Sequence, residues 1–173
     1  KYKVGDRALR TDEYYKLHPM GRVPVLEDNE VIIYESGAIV QYLLARHGER
    51  KLQPQSNDLY FPDYLQWIHY AEGSIMQQVN TLVVETILLP PEKKNEINVN
   101  RALKLIKIAL ANVDNRLKDR DYLAVDFSGA DIMTGHACIA AQKLKVDLSE
   151  MGNLLKYIDR LLERPSLKRA MSL

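Results

Sequence analysis

The sequence is poor in cysteine, in long apolar runs and in excess charge, and each shortage excludes a class of protein. Cys138 is the only cysteine among 173 residues, which excludes an internal disulfide and a site built from several thiolates. No run reaches the roughly 18 apolar residues that a membrane-spanning helix needs, so no membrane partner is expected. The first residues lead into charged sequence, so we expect no secretory signal and a cytoplasmic location.

Positive and negative charges are nearly balanced. There are 24 Lys and Arg residues against 23 Asp and Glu residues, which gives a formal charge of +1. A nucleic-acid partner is therefore not expected, because it requires clustered positive charge. The four histidines lie far apart in the sequence, so no metal cofactor is expected either; they are His18, His47, His69 and His136.

Residues 1–52 predict a small domain of mixed α and β structure. Its apolar residues occur in two short runs separated by a turn sequence, and then at helical spacing. The predicted elements are a short helix at 13–17, strands at 23–26 and 31–34 joined by a hairpin turn, and a helix from Ser36 that ends at the C′ glycine Gly48.

The remainder of the sequence predicts helices. Residues 51–57 are polar and contain a proline, which is typical of a linker. Beyond them apolar residues recur at helical spacing, and no run has the alternation of a strand. Residues 58–173 therefore predict an all-helical domain, and the expected fold class is α/β followed by all-α.

Two dipeptides of the first domain could bind a ligand: Val23-Pro24 and, eleven residues later, Glu35-Ser36. Ser36 is predicted to be the N-cap of a helix, and Ile39 three positions later cannot complete a capping box. A helix start with free N–H groups binds carboxylates, whereas the adjacent Glu35 attracts an ammonium group. The pair therefore suits the α-amino acid end of a ligand; the alternative is that Ser36 only caps its helix.

The bond between Val23 and Pro24 leaves two alternatives open. A cis bond would turn the backbone N–H and C=O of Val23 outward, where they could hold an extended peptide. About 5–6% of X-Pro bonds are cis, and the alternative is a trans bond at the start of a strand. The local sequence does not decide between them.

Residues 18–28 and 34–43 resemble the glutathione-binding half of a cytosolic glutathione S-transferase. The resemblance implies that 1–52 form a thioredoxin-like domain without its first strand and helix. The family's activating Ser, Tyr or Cys follows that first strand, so we expect the catalytic residue, and further chain, before Lys1.

The same resemblance implies a role for each residue of the motif. The backbone of Val23 would pair with the cysteinyl part of glutathione, and Glu35 and Ser36 would bind its γ-glutamyl end. Arg22 could reach the glycine carboxylate, or it could be a solvated surface arginine. Glutathione is thus expected as co-substrate.

A second resemblance lies in the helical half. Ser128 as N-cap and Asp131 at position N3 predict a capping box. This arrangement is similar to the one that opens the buried core helix of the same family. The resemblance implies that both residues serve folding rather than catalysis.

Tyr64, Trp67 and His69 are candidates for a substrate pocket. Aromatic residues at helical spacing more often pack in a core or an interface, which is the alternative for this helix. His69 could carry a proton, because an unperturbed histidine has a pKa near 6.5. The helix from Tyr60 to Val79 has aromatic residues on more than one face, and this, with the resemblance, predicts a homodimer.

The resemblance implies that the thiolate of glutathione attacks an electrophilic small molecule. Two alternatives remain open. One is an isomerase or reductase that uses the same glutathione site, and the other is a binding or regulatory relative that has lost catalysis.

Overall fold

The chain divides into two compact units, and the first of them ends at Glu49. The structure, a computed structural model, describes residues 5–49 and 51–172. No helix in these two ranges is both long enough and apolar enough to cross a bilayer.

The first unit combines helices with a two-stranded antiparallel sheet, so the predicted mixed α and β structure is confirmed. Thr11 begins the first helix, because its hydroxyl accepts the N–H of Tyr14 at 3.2 Å. The elements in chain order are a 3₁₀ turn at Arg7–Arg10, α1 at Asp12–Leu17, β1 at Val25–Asp28, β2 at Val31–Tyr34 and α2 at Ser36–His47.

The first strand begins later than the sequence suggested. A strand was expected from Val23, but β1 starts at Val25. Pro24 has no N–H to donate to a ladder, so the paired region begins only after it. Val23 therefore lies outside the sheet.

The C-terminal end of α2 needs a glycine for a reason other than a left-handed backbone. Gly48 is the C-cap and has a φ of −80°, whereas the left-handed residue is Glu49, with a φ of 48°. The predicted C′ position of Gly48 is therefore wrong by one residue. A Cβ atom on Gly48 would lie 2.4 Å from the carbonyl oxygen of Leu44, and this close approach requires glycine.

The second unit is helical in its ordered elements, which confirms the predicted all-helical half. The backbone stays helical from 61 to 88 but widens twice to π-helical geometry, at Ala71–Met76 and Val84–Leu88. The helices are α3 at Phe61–Tyr70, α4 at Gln77–Val83, α5 at Glu96–Arg116, α6 at Gly129–Lys143, α7 at Gly152–Leu162 and α8 at Pro165–Ser172, with a 3₁₀ turn at Pro91–Lys93.

Helix α6 lies at the centre of this unit and packs against α3, α4 and α7. Met133 and Cys138 on it are buried, and burial raises the pKa of the Cys138 thiol. His136 on the same helix is exposed. Gly135 permits close packing, because a Cβ there would lie 2.3 Å from Cδ1 of Leu161.

The start of α6 is held by a buried carboxylate. Asp131 accepts the N–H of Ser128 at 2.9 Å, and the hydroxyl of Ser128 accepts the N–H of Ala130 at 3.3 Å, so a capping box is present. The other carboxylate oxygen accepts the N–H of Leu123 at 3.0 Å and the hydroxyl of Tyr157 at 2.9 Å. Burial raises the pKa of Asp131 and outweighs the lowering effect of these donors.

Candidate functional site

The hairpin brings the two predicted binding dipeptides to one end of the sheet. Val25 at the start of β1 pairs with Tyr34 at the end of β2. Because the strands are antiparallel, the residues just before Val25 and just after Tyr34 lie at the same end. Val23 and Glu35, which are separated by a whole hairpin in sequence, therefore lie at the same end of the sheet.

The loop before Val23 is held against the same end of the sheet. The ring of His18, which is buried, lies 4.8 Å from the ring of Tyr34, measured between centroids. Nδ1 of His18 also accepts the N–H of Met20 at 3.2 Å. His18 thus links the loop, through Met20, to Tyr34 at the end of β2.

Val23 itself presents free backbone groups. The Val23–Pro24 peptide bond is cis, which decides between the two alternatives that the sequence left open. The side chain of Val23 is 53% exposed, and within residues 5–49 and 51–172 neither its N–H nor its C=O has a hydrogen-bond partner. An extended ligand could pair with these two groups as a strand would.

Helix α2 begins at Ser36 as the sequence predicts, but its N-cap is a different residue. The N–H of Ile39 donates to the carbonyl of Glu35 at 2.9 Å, so Glu35 is the N-cap and Ser36 is the first helical residue. The prediction that Ser36 caps α2 is therefore wrong. A cap must have a non-helical backbone, and Glu35 has it, with a φ of 75° and a ψ of 115°.

The backbone of Glu35 is strained. For a residue other than glycine, this positive φ costs on the order of 1–3 kcal/mol of conformational free energy, and such residues are concentrated at ligand-binding positions. The Glu35 carboxylate makes no side-chain capping bond, and the residue is exposed. It is therefore available to a positively charged ligand group.

The start of α2 offers a favourable environment for an anion. Its first turn holds no acidic side chain, and Gly37 and Ala38 have backbone N–H groups with no partner in the described chain. The positive end of the helix dipole adds to their attraction for a carboxylate. The Ser36 hydroxyl lies in this same turn.

Arg22 lies in the loop beside Val23. Its carbonyl accepts the hydroxyl of Tyr14 at 2.7 Å, which fixes the backbone of the loop. Its side chain is exposed, and no carboxylate of the described residues forms an ion pair with it. The guanidinium is thus free to meet a second negative group of a ligand.

The three aromatic pocket candidates separate within the helical unit. Tyr64 and Trp67 on α3 are buried to 1% and 2% exposure, and each has a polar atom without a hydrogen-bond partner among the described residues. Burial raises the pKa of Tyr64. His69 is exposed on a different face of the same helix. The structure does not bring His69 together with the other two.

A polar cluster at the other end of the sheet was not found from the sequence. The carboxylate of Asp28 accepts the hydroxyl of Tyr42 at 2.9 Å and lies 3.2 Å from Nε2 of His47. The bonds from His47, the larger effect, and from Tyr42 lower the pKa of Asp28. The cluster ties the hairpin turn to the last turns of α2. The fourteen- and nineteen-residue separations gave no local pattern to detect.

No group of three or more His, Cys, Asp or Glu residues within the described ranges could hold an ion.

Two family models match the chain in order. The model of the glutathione S-transferase N-terminal domain matches residues 2–51, and the model of the glutathione S-transferase C-terminal domain matches residues 77–165. The chain belongs to the glutathione S-transferase family. Its first unit is accordingly the thioredoxin-like domain of that fold, and its second unit is the helical domain.

Relatives across kingdoms support this membership. Glutathione S-transferase GstB of Escherichia coli is 24% identical over 162 residues, which cover 92% of this chain and 77% of the relative. Elongation factor 1-gamma of Prunus avium is 28% identical over 173 residues, 94% of this chain and 39% of that protein. The theta class glutathione S-transferase of Xanthomonas axonopodis, solved with glutathione bound, is 26% identical with a TM-score of 0.82, covering 93% of this chain and 77% of that one.

Proposed function

We propose that this protein is a glutathione transferase, which conjugates the thiolate of glutathione to electrophilic small molecules. The observation that carries the proposal is the pairing of Val25 with Tyr34, because it gathers two otherwise separate recognition elements at one end of the sheet. One element is the unpaired backbone of Val23, and the other is the start of α2 at Glu35 and Ser36.

Each part of glutathione has a matching group at this end of the first unit. The cysteinyl backbone pairs with the N–H and C=O of Val23. The γ-glutamyl carboxylate binds at the start of α2 through Ser36, and the γ-glutamyl ammonium pairs with the Glu35 carboxylate. The glycine carboxylate meets the guanidinium of Arg22. Complementary charges at both ends of a short peptide support glutathione over an uncharged ligand.

The chemistry requires that the thiol of glutathione lose its proton. A thiol with a pKa near 8.5 is only a few per cent ionised at pH 7. A hydrogen bond to the sulfur from a Ser, Tyr or Cys would favour the thiolate, and we assign that residue to none of the described positions. We propose no metal in the reaction, and Tyr64, Trp67 and His69 stay candidates for the electrophile pocket.

A second candidate is a binding module that shares the glutathione site without catalysing transfer. The similarity to elongation factor 1-gamma favours a binding module, because that relative is named as an elongation factor and not as a transferase. An isomerase or reductase would use the same site with a different acceptor. Turnover of 1-chloro-2,4-dinitrobenzene with glutathione separates transfer from binding alone.

Calorimetric titration with glutathione tests the site. Ser36→Ala and Glu35→Gln should each weaken binding by about 1–3 kcal/mol, because each removes a charge-assisted hydrogen bond. Ser166→Ala and Glu30→Gln are matched controls at exposed positions and should bind as the wild type does. Unchanged affinity in both site variants would remove this assignment.

We further propose that the protein is a homodimer in the cytoplasm, as the family membership suggests. The aromatic residues of the helix from Tyr60 give the dimer little support, because most of them face the core of their own chain. Tyr64 and Trp67 are buried, and the hydroxyl of Tyr70 donates to the carbonyl of Ala109 at 3.2 Å. Tyr60 stays 44% exposed. Sedimentation equilibrium at micromolar concentration should give twice the chain mass, and a monomer that still binds glutathione would contradict the dimer.

A further inference from the structure

Side chains, rather than a neighbouring strand, hold the three carbonyls that precede Val23. A single guanidinium nitrogen of Arg10 donates to the carbonyl of Met20 at 2.8 Å and to that of Gly21 at 3.1 Å. The hydroxyl of Tyr14 donates to the next carbonyl, that of Arg22, at 2.7 Å. Every carbonyl from Met20 to Arg22 is therefore occupied, and the first free one belongs to Val23.

Arg10 is bound to the loop and to no acidic side chain. Within residues 5–49 and 51–172 no carboxylate lies at ion-pair distance from its guanidinium. An arginine on an exposed 3₁₀ turn has many rotamers, and two bonds to adjacent carbonyls fix one of them. The two hydrogen bonds of Arg10 therefore fix the conformation of the loop.

The loop is built around this contact. Gly21 has a φ of 58°, which favours glycine. A Cβ atom on Gly21 would lie 2.3 Å from the carbonyl of Leu9 and 2.5 Å from the Arg10 guanidinium. The missing side chain at Gly21 is what lets Arg10 reach both carbonyls.

We propose that Arg10 is a positioning residue for ligand binding: by holding the carbonyls of Met20 and Gly21, it sets the direction in which Val23 presents its backbone. This inference rests on the proposed function, because Val23 matters only if a peptide-like ligand pairs with it. The proposed role of Arg10 needs no contact with glutathione. Arg10 acts through Val23, and Tyr14 contributes one bond to the same effect.

Glutathione titration of the intact protein, with thermal unfolding of each variant, tests the proposal. Arg10→Met keeps the aliphatic stem and loses both hydrogen bonds, so the dissociation constant should rise about five- to tenfold. Arg10→Lys keeps a charged donor nitrogen in place of the guanidinium and should therefore retain part of the affinity that Arg10→Met loses. Arg7 lies on the same 3₁₀ turn, and its side chain forms no hydrogen bond to the loop within the described residues, so Arg7→Met should bind normally.

Thr11→Ala separates positioning from general stability. It removes the N-cap of α1 and destabilises the same segment, but leaves the loop carbonyls bound to Arg10. Its melting temperature should fall at least as far as that of Arg10→Met, with nearly unchanged affinity.

Three outcomes would overturn the proposal, and they are distinguishable. Equal affinity in Arg10→Met and wild type removes the role of Arg10 and leaves the glutathione site intact. Equal loss of affinity in Thr11→Ala reduces the effect of Arg10 to stability. A wild-type protein that binds no glutathione removes the proposed function and this inference together.

Discussion

The two units differ in what they bury. Among the described apolar side chains of the first unit, only Leu9, Tyr14, Ile39 and Leu44 are buried, whereas α6 in the second unit is buried over most of its surface. The first unit instead exposes Val23, and Val31, Ile32 and Tyr34 of its sheet, each by more than two fifths.

One polar site in each unit shows a related difference. In the second unit Asp131 is buried and both its oxygens accept donors, which fixes the start of a core helix. In the first unit the backbone groups of Val23 and the N–H groups of Gly37 and Ala38 have no partner in the described chain. A buried carboxylate whose oxygens both accept donors stabilises the fold, whereas unpaired backbone groups near solvent are available to a ligand.

The largest effect is expected from Asp131→Ala. It leaves the N–H groups of Leu123 and Ser128 without their acceptor, so the free energy of unfolding should fall by about 3 kcal/mol or more. This exceeds the 0.5–2 kcal/mol typical of a cap alone. Denaturant unfolding checks it, with Asp119→Ala as control, because Asp119 is exposed and its carboxylate forms no hydrogen bond within the described residues.

The folded fraction of Asp131→Ala should still bind glutathione with wild-type affinity. Normal stability with lost binding would assign Asp131 to the ligand site and break the division between the two units.

Glycine substitutions give a smaller effect of opposite sign in the two units. Gly48→Ala forces a Cβ against the Leu44 backbone and should cost roughly 1–3 kcal/mol. Gly73→Ala has nothing within 4 Å of the new atom and lies in a helical segment, so it should stabilise by about 0.5–1 kcal/mol. Thermal unfolding measures both, and a stabilised Gly48→Ala would contradict the close approach.

The smallest effect concerns acid stability of the second unit. The N–H of Asn95, first, and the side chain of Asn98 lower the pKa of Glu85 below its ordinary value of 4.5. Glu85 therefore contributes stability above pH 4.5, and this contribution is lost as the pH falls through its folded-state pKa.

Glu85→Gln should be less stable than wild type at neutral pH, and the difference should shrink below pH 4.5. The exposed Glu92→Gln is the control and should follow the wild-type curve. A difference that stays constant from pH 7 to 3 would contradict the role of the Glu85 charge.

The spacing of apolar residues predicted the helices and strands, because the side chains that pack against a core recur every two residues in a strand and every three to four in a helix. The α2 and β2 bounds and the capping box at Ser128 followed from residues within a few positions of each other. The N-cap of α2 was misplaced because the positive φ of Glu35 has no side-chain signature in the sequence.

The supports of the candidate site were harder to predict. Arg10 reaches carbonyls ten and eleven residues away, and Asp28 meets His47 nineteen residues on, so neither contact follows from a repeat or a motif. The cis bond before Pro24 depends on tertiary structure and could only be named as an alternative.

Amide chemical shifts during a glutathione titration show which residues bind the peptide, because they report on every backbone N–H at once. Binding at this end of the sheet predicts the largest shifts on Val23, on Glu35 to Ala38 and on the loop that Arg10 holds, with little change at the buried start of α6. Shifts confined to the helical unit, with the amides of Val23 and Ser36 unmoved at saturation, would contradict it.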